Sequence, residues 1–175
     1  MHHQENGTLS YAKAIEELST FASMSPSNLA ALAKIGQTTL LYAEDNWNPK
    51  FLTIRKLCRA VQILPHAFFA LAGGKAVNLE QERLQYLAQK NPEIHRFGTF
   101  VRQQRKKKGL SQSALAKKAC LSPQTIYRNE QRDSIDELPM ITLILWVTAL
   151  DTSIEEFCLK YESYTLGTSL TLVTA

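Results

Sequence analysis

Residues 105–130 read Arg-Lys-Lys-Lys-Gly-Leu-Ser-Gln-Ser-Ala-Leu-Ala-Lys-Lys-Ala-Cys-Leu-Ser-Pro-Gln-Thr-Ile-Tyr-Arg-Asn-Glu, a stretch that admits few folds. Ser111 is placed to cap a helix that carries Leu115, Ala116 and Ala119. Ser122 is placed to cap a second helix, with Pro123 at its first position, where a missing N–H costs nothing. The link between them is short, so the two helices must cross closely. Ala116 is small at that crossing, and Leu115, Ala119, Leu121 and Ile126 supply the apolar contact. The spacing predicts two short helices joined by a tight turn.

The charges fall in blocks. Residues 97–132 hold nine Lys or Arg against one acid, Glu130, whereas residues 133–162 hold seven acids against one base, Lys160. The net charge is only +4, so the distribution matters more than the total. It predicts one surface for a polyanion and another for a different partner, such as a protein meeting the acidic region 133–162.

From about Phe97 to Phe157 the residues resemble the Cro/phage-repressor (Xre-like) family, whose second helix enters the DNA major groove. The resemblance implies an all-α fold and assigns Ser122 through Asn129 as the recognition helix. Its base-reading candidates are Gln124, Arg128, Tyr127 and Pro123, with Thr125 last because it can instead face the helix pair. Glutamine can pair bidentately with adenine and arginine with guanine. Gln112 stands where the family usually has a glutamine bonded to phosphate, at a helix start whose amides point outward. Ser111, Ser122, Lys106, Lys107, Lys108, Lys117 and Arg132 are further phosphate candidates. Arg105 and Glu130 match an arginine and a glutamate that commonly pair in this family, and they are expected to be structural.

The same unit recurs earlier in the chain. With Ser25–Glu44 set beneath Ser111–Glu130, the residues Ser25, Leu29, Ala30, Ala33, Thr39 and Glu44 coincide with Ser111, Leu115, Ala116, Ala119, Thr125 and Glu130. Beyond the turn the second copy carries three more residues, after which Ala60, Val61 and Phe68 fall over Ala149, Leu150 and Phe157. The expected architecture is two tandem five-helix, lambda-repressor-like domains, over residues 8–72 and 95–160. Ser10 starts the first. Residues 73–94 form a linker whose helix is capped by Asn78 and stops at Asn91-Pro92, serving as spacer or dimerisation element. Residues 161–175 are a tail, either an edge strand or disordered.

The first copy departs from the pattern: Pro26 replaces Gln112, Ser19 replaces Arg105, and residues 37–44 contain no Lys or Arg. Gln37, Thr38 and Tyr42 can still read bases, and Asn46, Asn48 and Lys50 can hold phosphate, whereas Trp47 suits core packing or a partner's pocket. Either this copy reads a weaker half-site or it has become a protein-binding or dimerisation module.

The remaining observations exclude classes. No run of about 18 apolar residues is present, so no membrane span is expected, and residues 1–5 do not read as a signal peptide. Cys58, Cys120 and Cys158 are isolated and lie apart from the histidines, which predicts buried thiols in the cytoplasm and no metal or cofactor. No phosphate-binding glycine loop, Gly-x-Ser-x-Gly or His-Glu-x-x-His motif is present, so an enzyme is not expected. Two functions remain: a sequence-specific, nucleoid-associated transcriptional regulator expected to repress, from a bacterium, phage or mobile element, or an antitoxin or anti-defence protein that binds a protein partner and regulates its own promoter.

Overall fold

The computed structural model describes residues 9–45, 48–88 and 97–166. These residues form eleven helices and no strand, an all-α fold; the one extended contact among them is an isolated bridge between Lys50 and Pro139. The chain divides into two compact units, one comprising residues up to Pro49 with Thr53–Leu87, the other Lys50–Leu52 with the residues from Ala88 onward.

The first unit contains α1 (Tyr11–Phe21), α2 (Pro26–Leu32), α3 (Gln37–Glu44), nearly all of α4 (Phe51–Val61), and α5 (Pro65–Ala72). Ser10 accepts a bond from the Lys13 amide and Ser25 one from the Asn28 amide, each satisfying a donor that its helix start leaves free. The core gathers Ile15, Leu18, Leu29, Ile54, Leu57, Phe68 and Phe69, with the Tyr11 and Phe68 rings 5.9 Å apart. Helix α6 (Leu79–Ala88), capped by the Asn78 side chain, buries no residue and is held to this unit by His66–Glu82 and Arg83–Gln62 contacts.

The second unit contains α7 (Phe97–Lys107), α8 (Gln112–Lys118), α9 (Pro123–Asn129), α10 (Met140–Ala149) and α11 (Ile154–Leu166). Ser111 caps α8 and Ser122 caps α9, with Pro123 opening α9. Ala116 and Ala119, both under 3% exposed, let α8 and α9 approach closely over Leu115 and Ile126. Phe97 and Phe100 anchor α7 in an aromatic cluster with Trp146, Phe157 and Tyr161, at ring separations of 5.2–6.5 Å. Such pairs add about 0.5–1.5 kcal/mol each beyond the area they bury.

The two units share their landmarks. An interval of 86 residues separates Tyr11 from Phe97, Phe21 from Lys107, Pro26 from Gln112, Leu32 from Lys118, and Gln37 from Pro123. Left-handed residues recur at the same interval: Ser23 and Lys34 have φ of 52° and 54°, Gly109 and Cys120 of 67° and 53°. Past the third helix the interval becomes 89, taking Phe51 to Met140, Pro65 to Ile154, and the left-handed Gln62 to Asp151.

Several expectations change. The last helix runs past residue 160 to Leu166, because Tyr161 packs on Phe97 and Phe100 and draws the chain onward. Ile141 is 48% exposed, since α10 is apolar nearly all round and periodicity cannot choose its inner face. Cys58 and Cys158 are buried, but Cys120 is exposed in the turn between α8 and α9. Asn46, Trp47, the linker's end at Asn91-Pro92, His95 and the tail beyond Leu166 lie outside the described residues.

Candidate nucleic-acid interface

Successive residues of an α-helix point about 100° apart. On α9, Ile126 and Asn129 therefore point the same way, and both are buried. The opposite arc carries Pro123, Gln124, Tyr127 and Arg128, all exposed, with Tyr127 at 54%. Thr125 stands between the two arcs and is half-buried. Its hydroxyl lies 2.8 Å from that of Ser122, and its amide donates to the same oxygen. Thr125 thus belongs to the cap, and the outward arc is left to Gln124, Tyr127 and Arg128.

The helix is fixed from behind by one buried carboxylate. Glu130, at the end of α9, has a fully buried side chain. Arg105 of α7 donates to both its oxygens, Nε at 2.5 Å and Nη2 at 3.0 Å, and gives Nη1 to the Leu110 carbonyl. Gln112 at the start of α8 donates Nε2 to Glu130 at 2.8 Å, and Arg102 stands 3.5 Å from the same carboxylate. One group thereby ties together α7, α8 and α9. Burial works against the charged form of Glu130, but the Arg105 and Gln112 hydrogen bonds, with the charges of Arg105 and Arg102, outweigh it and hold the carboxyl below its ordinary range. The hydrogen bond to Glu130 correspondingly raises Arg105.

Gln112 sits inside this network. One of its two amide hydrogens goes to Glu130, which orients the side chain and leaves the second hydrogen for an outside acceptor. Gly98 is a further part of the device that sequence reasoning missed. Its amide donates to the Arg132 carbonyl at 2.7 Å, and a Cβ there would lie 2.4 Å from the Glu130 carbonyl oxygen. Only glycine permits α7 to pass this close to the end of α9. Arg102 was also missed; both carried a faint signal, a glycine in the first turn of a helix and a base one turn before Arg105.

The phosphate candidates divide. Lys106, Lys107 and Lys117 are exposed, with no ion pair to a described residue. Lys108 is exposed but lines a small cleft with Asp151, Glu156 and Lys160, so acids compete for its charge. Arg132 gives its Nε–H to Asn129 at 3.2 Å and keeps the rest of its guanidinium. The Ser111 and Ser122 hydroxyls each accept a capping amide. Lys118 is held by both oxygens of Asp151 at 2.8 Å. In the acidic region, Asp151, Glu137 and Glu156 are bonded to Lys118, Lys50 and Lys160, which reduces the free acidic surface.

In the first unit α3 exposes Gln37, Thr38, Leu41 and Tyr42 and buries Leu40 and Ala43. Lys50, expected to act with them, groups with the second unit and bonds to Glu137, an acid in the loop before α10. Among the described residues no helix is long and apolar enough to cross a membrane, and no cluster of metal-ligating residues occurs.

No curated protein and no solved structure matches the chain. Residues 101–157, running from α7 into α11, match the Helix-turn-helix family model, so this segment is similar to a family of DNA-binding regulators.

Proposed function

We propose that the chain is a sequence-specific transcriptional repressor that reads the DNA major groove with α9. The observation that carries this reading is the arc of Gln124, Tyr127 and Arg128, exposed together on a short helix whose other side is fixed by Glu130. Arg128 and Gln124 are the base readers, and Tyr127 with Pro123 supplies apolar contact. Lys106, Lys107, Lys117, Gln112 and Arg132 hold phosphates and set register, with Lys108 and the Ser111 and Ser122 hydroxyls at the margin. Repression follows from occupying promoter DNA in the cytoplasm and needs no cofactor.

In this reading residues 8–72 are a divergent copy of the domain at 95–160, joined to it by the linker at 73–94. The common helix bounds and the paired left-handed residues support the copy. The test is selection of bound sequences from random duplex DNA at physiological salt, with the full chain. A short motif is expected, lost or relaxed in Arg128→Ala and Gln124→Ala and unchanged in Gln37→Ala, Thr38→Ala and Tyr42→Ala. Absence of any enriched sequence would overturn the reading. A bipartite motif sensitive to Tyr42→Ala would assign base reading to both copies and remove the need for a homodimer.

One observation favours a second reading, an antitoxin or anti-defence protein that also controls its own promoter. In the first unit Leu32, Leu41 and Tyr42 are 51–57% exposed, at the counterparts of Lys118, Tyr127 and Arg128. A largely apolar set, with two bases replaced by Leu32 and Tyr42, suits a protein partner better than a phosphate backbone. A stable hetero-complex isolated from the native host would support it, and a protein recovered only with DNA or with itself would not.

A further inference from the structure

Set against each other at the 86-residue interval, the two units invert one cluster. In the second, the carboxylate of Glu130 is held by Arg105, Arg102 and Gln112. Their counterparts in the first are Glu44, Ser19, Glu16 and Pro26. Two arginines have become a hydroxyl and a carboxylate, and an amide donor has become a ring without one. Glu130 is fully buried, whereas Glu44 is half-buried. Among the described residues no ion pair joins Glu16 or Glu44 to a base.

The space is correspondingly empty. An open groove of about 410 Å³ lies between the last turns of α1 and the start of α2, lined by Glu16, Ser19, Thr20, Ser23, Met24 and Ser25. Ser19 is only 5% exposed, and its Oγ is buried without a hydrogen-bond partner among the described residues. Such an oxygen can be satisfied by a donor that enters the groove. The groove therefore offers a carboxylate, several hydroxyls and an unsatisfied buried oxygen, and no base.

We propose that this groove binds a guanidinium, an arginine side chain carried by a segment of a partner protein, beside Ser19, the counterpart of Arg105 in the second unit. A guanidinium presents five N–H donors in a plane, which suits a carboxylate and hydroxyls spread around one cavity, whereas an ammonium is a single point charge. The Met24 thioether supplies soft contact for the stem. A free cation gains little from an exposed carboxylate such as Glu16, so the arginine needs a polypeptide around it. The inference rests on the first unit being a copy of the second, and it does not depend on what α9 binds.

The test uses the full chain labelled with nitrogen-15, titrated with a capped Ala-Ala-Arg-Ala-Ala peptide. The lysine and citrulline versions of the peptide and N-acetylarginine amide are the controls. Amide shifts confined to residues 16–26 are expected with the arginine peptide, with binding at least tenfold weaker for the citrulline peptide, which lacks the charge and part of the donor set, and about two- to fivefold weaker in Glu16→Gln. Equal binding of the citrulline or lysine peptide would overturn the guanidinium assignment. N-acetylarginine amide binding as tightly as the peptide would overturn the polypeptide source and leave a free small molecule as ligand. Ser19→Arg separates this proposal from the copy reading beneath it. The new side chain should occupy the groove beside Glu16, raise the melting temperature of the first unit and abolish peptide binding. A raised melting temperature with no peptide binding to the unaltered chain would leave the copy standing and sink the docking site. A lowered one would sink the copy, and the docking site with it.

Discussion

Replacing Glu130 by alanine leaves Arg105, a residue 7% exposed, inside the second unit without the carboxylate that holds it. The loss is larger than that of one hydrogen bond, because Arg105 loses two donors' acceptors and Gln112 loses its partner. Removing one member of a buried pair costs about 3–5 kcal/mol. A domain of this size has about 5–15 kcal/mol of stability in all, and each kcal/mol moves its melting temperature by about 4–8 °C. Glu130→Ala should therefore lower the melting of the second unit by roughly 12 °C or more. Calorimetry on the full chain, with each transition assigned from amide signals, measures this. The informative control replaces both charges by apolar residues, Arg105→Met with Glu130→Leu. Exchanging a buried pair for packed apolar side chains is often neutral or stabilising, so the double variant should recover most of the loss. It should nevertheless bind DNA more weakly than the unaltered chain, because Gln112 no longer has the carboxylate that orients it. A Glu130→Ala loss under about 1 kcal/mol, or a double variant as unstable as the sum of the singles, would refute the account of α9 as a helix fixed by this pair.

Other outcomes follow from the same geometry. Gly98→Ala places a methyl 2.4 Å from a backbone carbonyl that cannot step aside alone, so a loss of about 1–3 kcal/mol and weaker DNA binding are expected on thermal and gel-shift measurement. Arg128→Ala should relax preference at one base by about 1–3 kcal/mol, read by competition between operator variants, with little change in melting temperature. Lys107→Ala should instead weaken binding to all sequences alike and make the salt dependence shallower by about one counterion, read from affinity against ionic strength. The Glu130 carboxyl is held below its ordinary value of 4.5, so its contribution to stability is complete above that value and is lost as pH falls through the lower, folded one. The melting temperature of the second unit should accordingly fall steeply below about pH 4.5, and Glu130→Gln should flatten that fall.

Much of this molecule follows from sequence because its signals are local. A serine or asparagine oxygen can accept the free amides of the helix start that follows it, which is why Ser10, Ser25, Asn78, Ser111 and Ser122 mark helix starts. Alanines at 116 and 119 allow a close crossing because of their size alone. The pattern common to Ser25–Glu44 and Ser111–Glu130 is visible for the same reason: its shared positions are mostly the small and apolar ones that a helix pair needs. Other features depend on what comes near from elsewhere in the chain. Gly98 looks like any helix glycine until the carbonyl of Glu130 is placed against it. Gln112 reads as a free side chain until Glu130 takes one of its hydrogens and orients the other, and Lys118 reads as one of a lysine run until Asp151 reaches it. Ser19 is an unremarkable helix residue in one dimension. Only packing buries its oxygen beside a groove, because only packing shows which space the missing arginine would have filled. Spacing along the chain therefore set the helices and their caps, whereas partners distant in sequence decided which side chains are held inside and which remain free to meet a ligand.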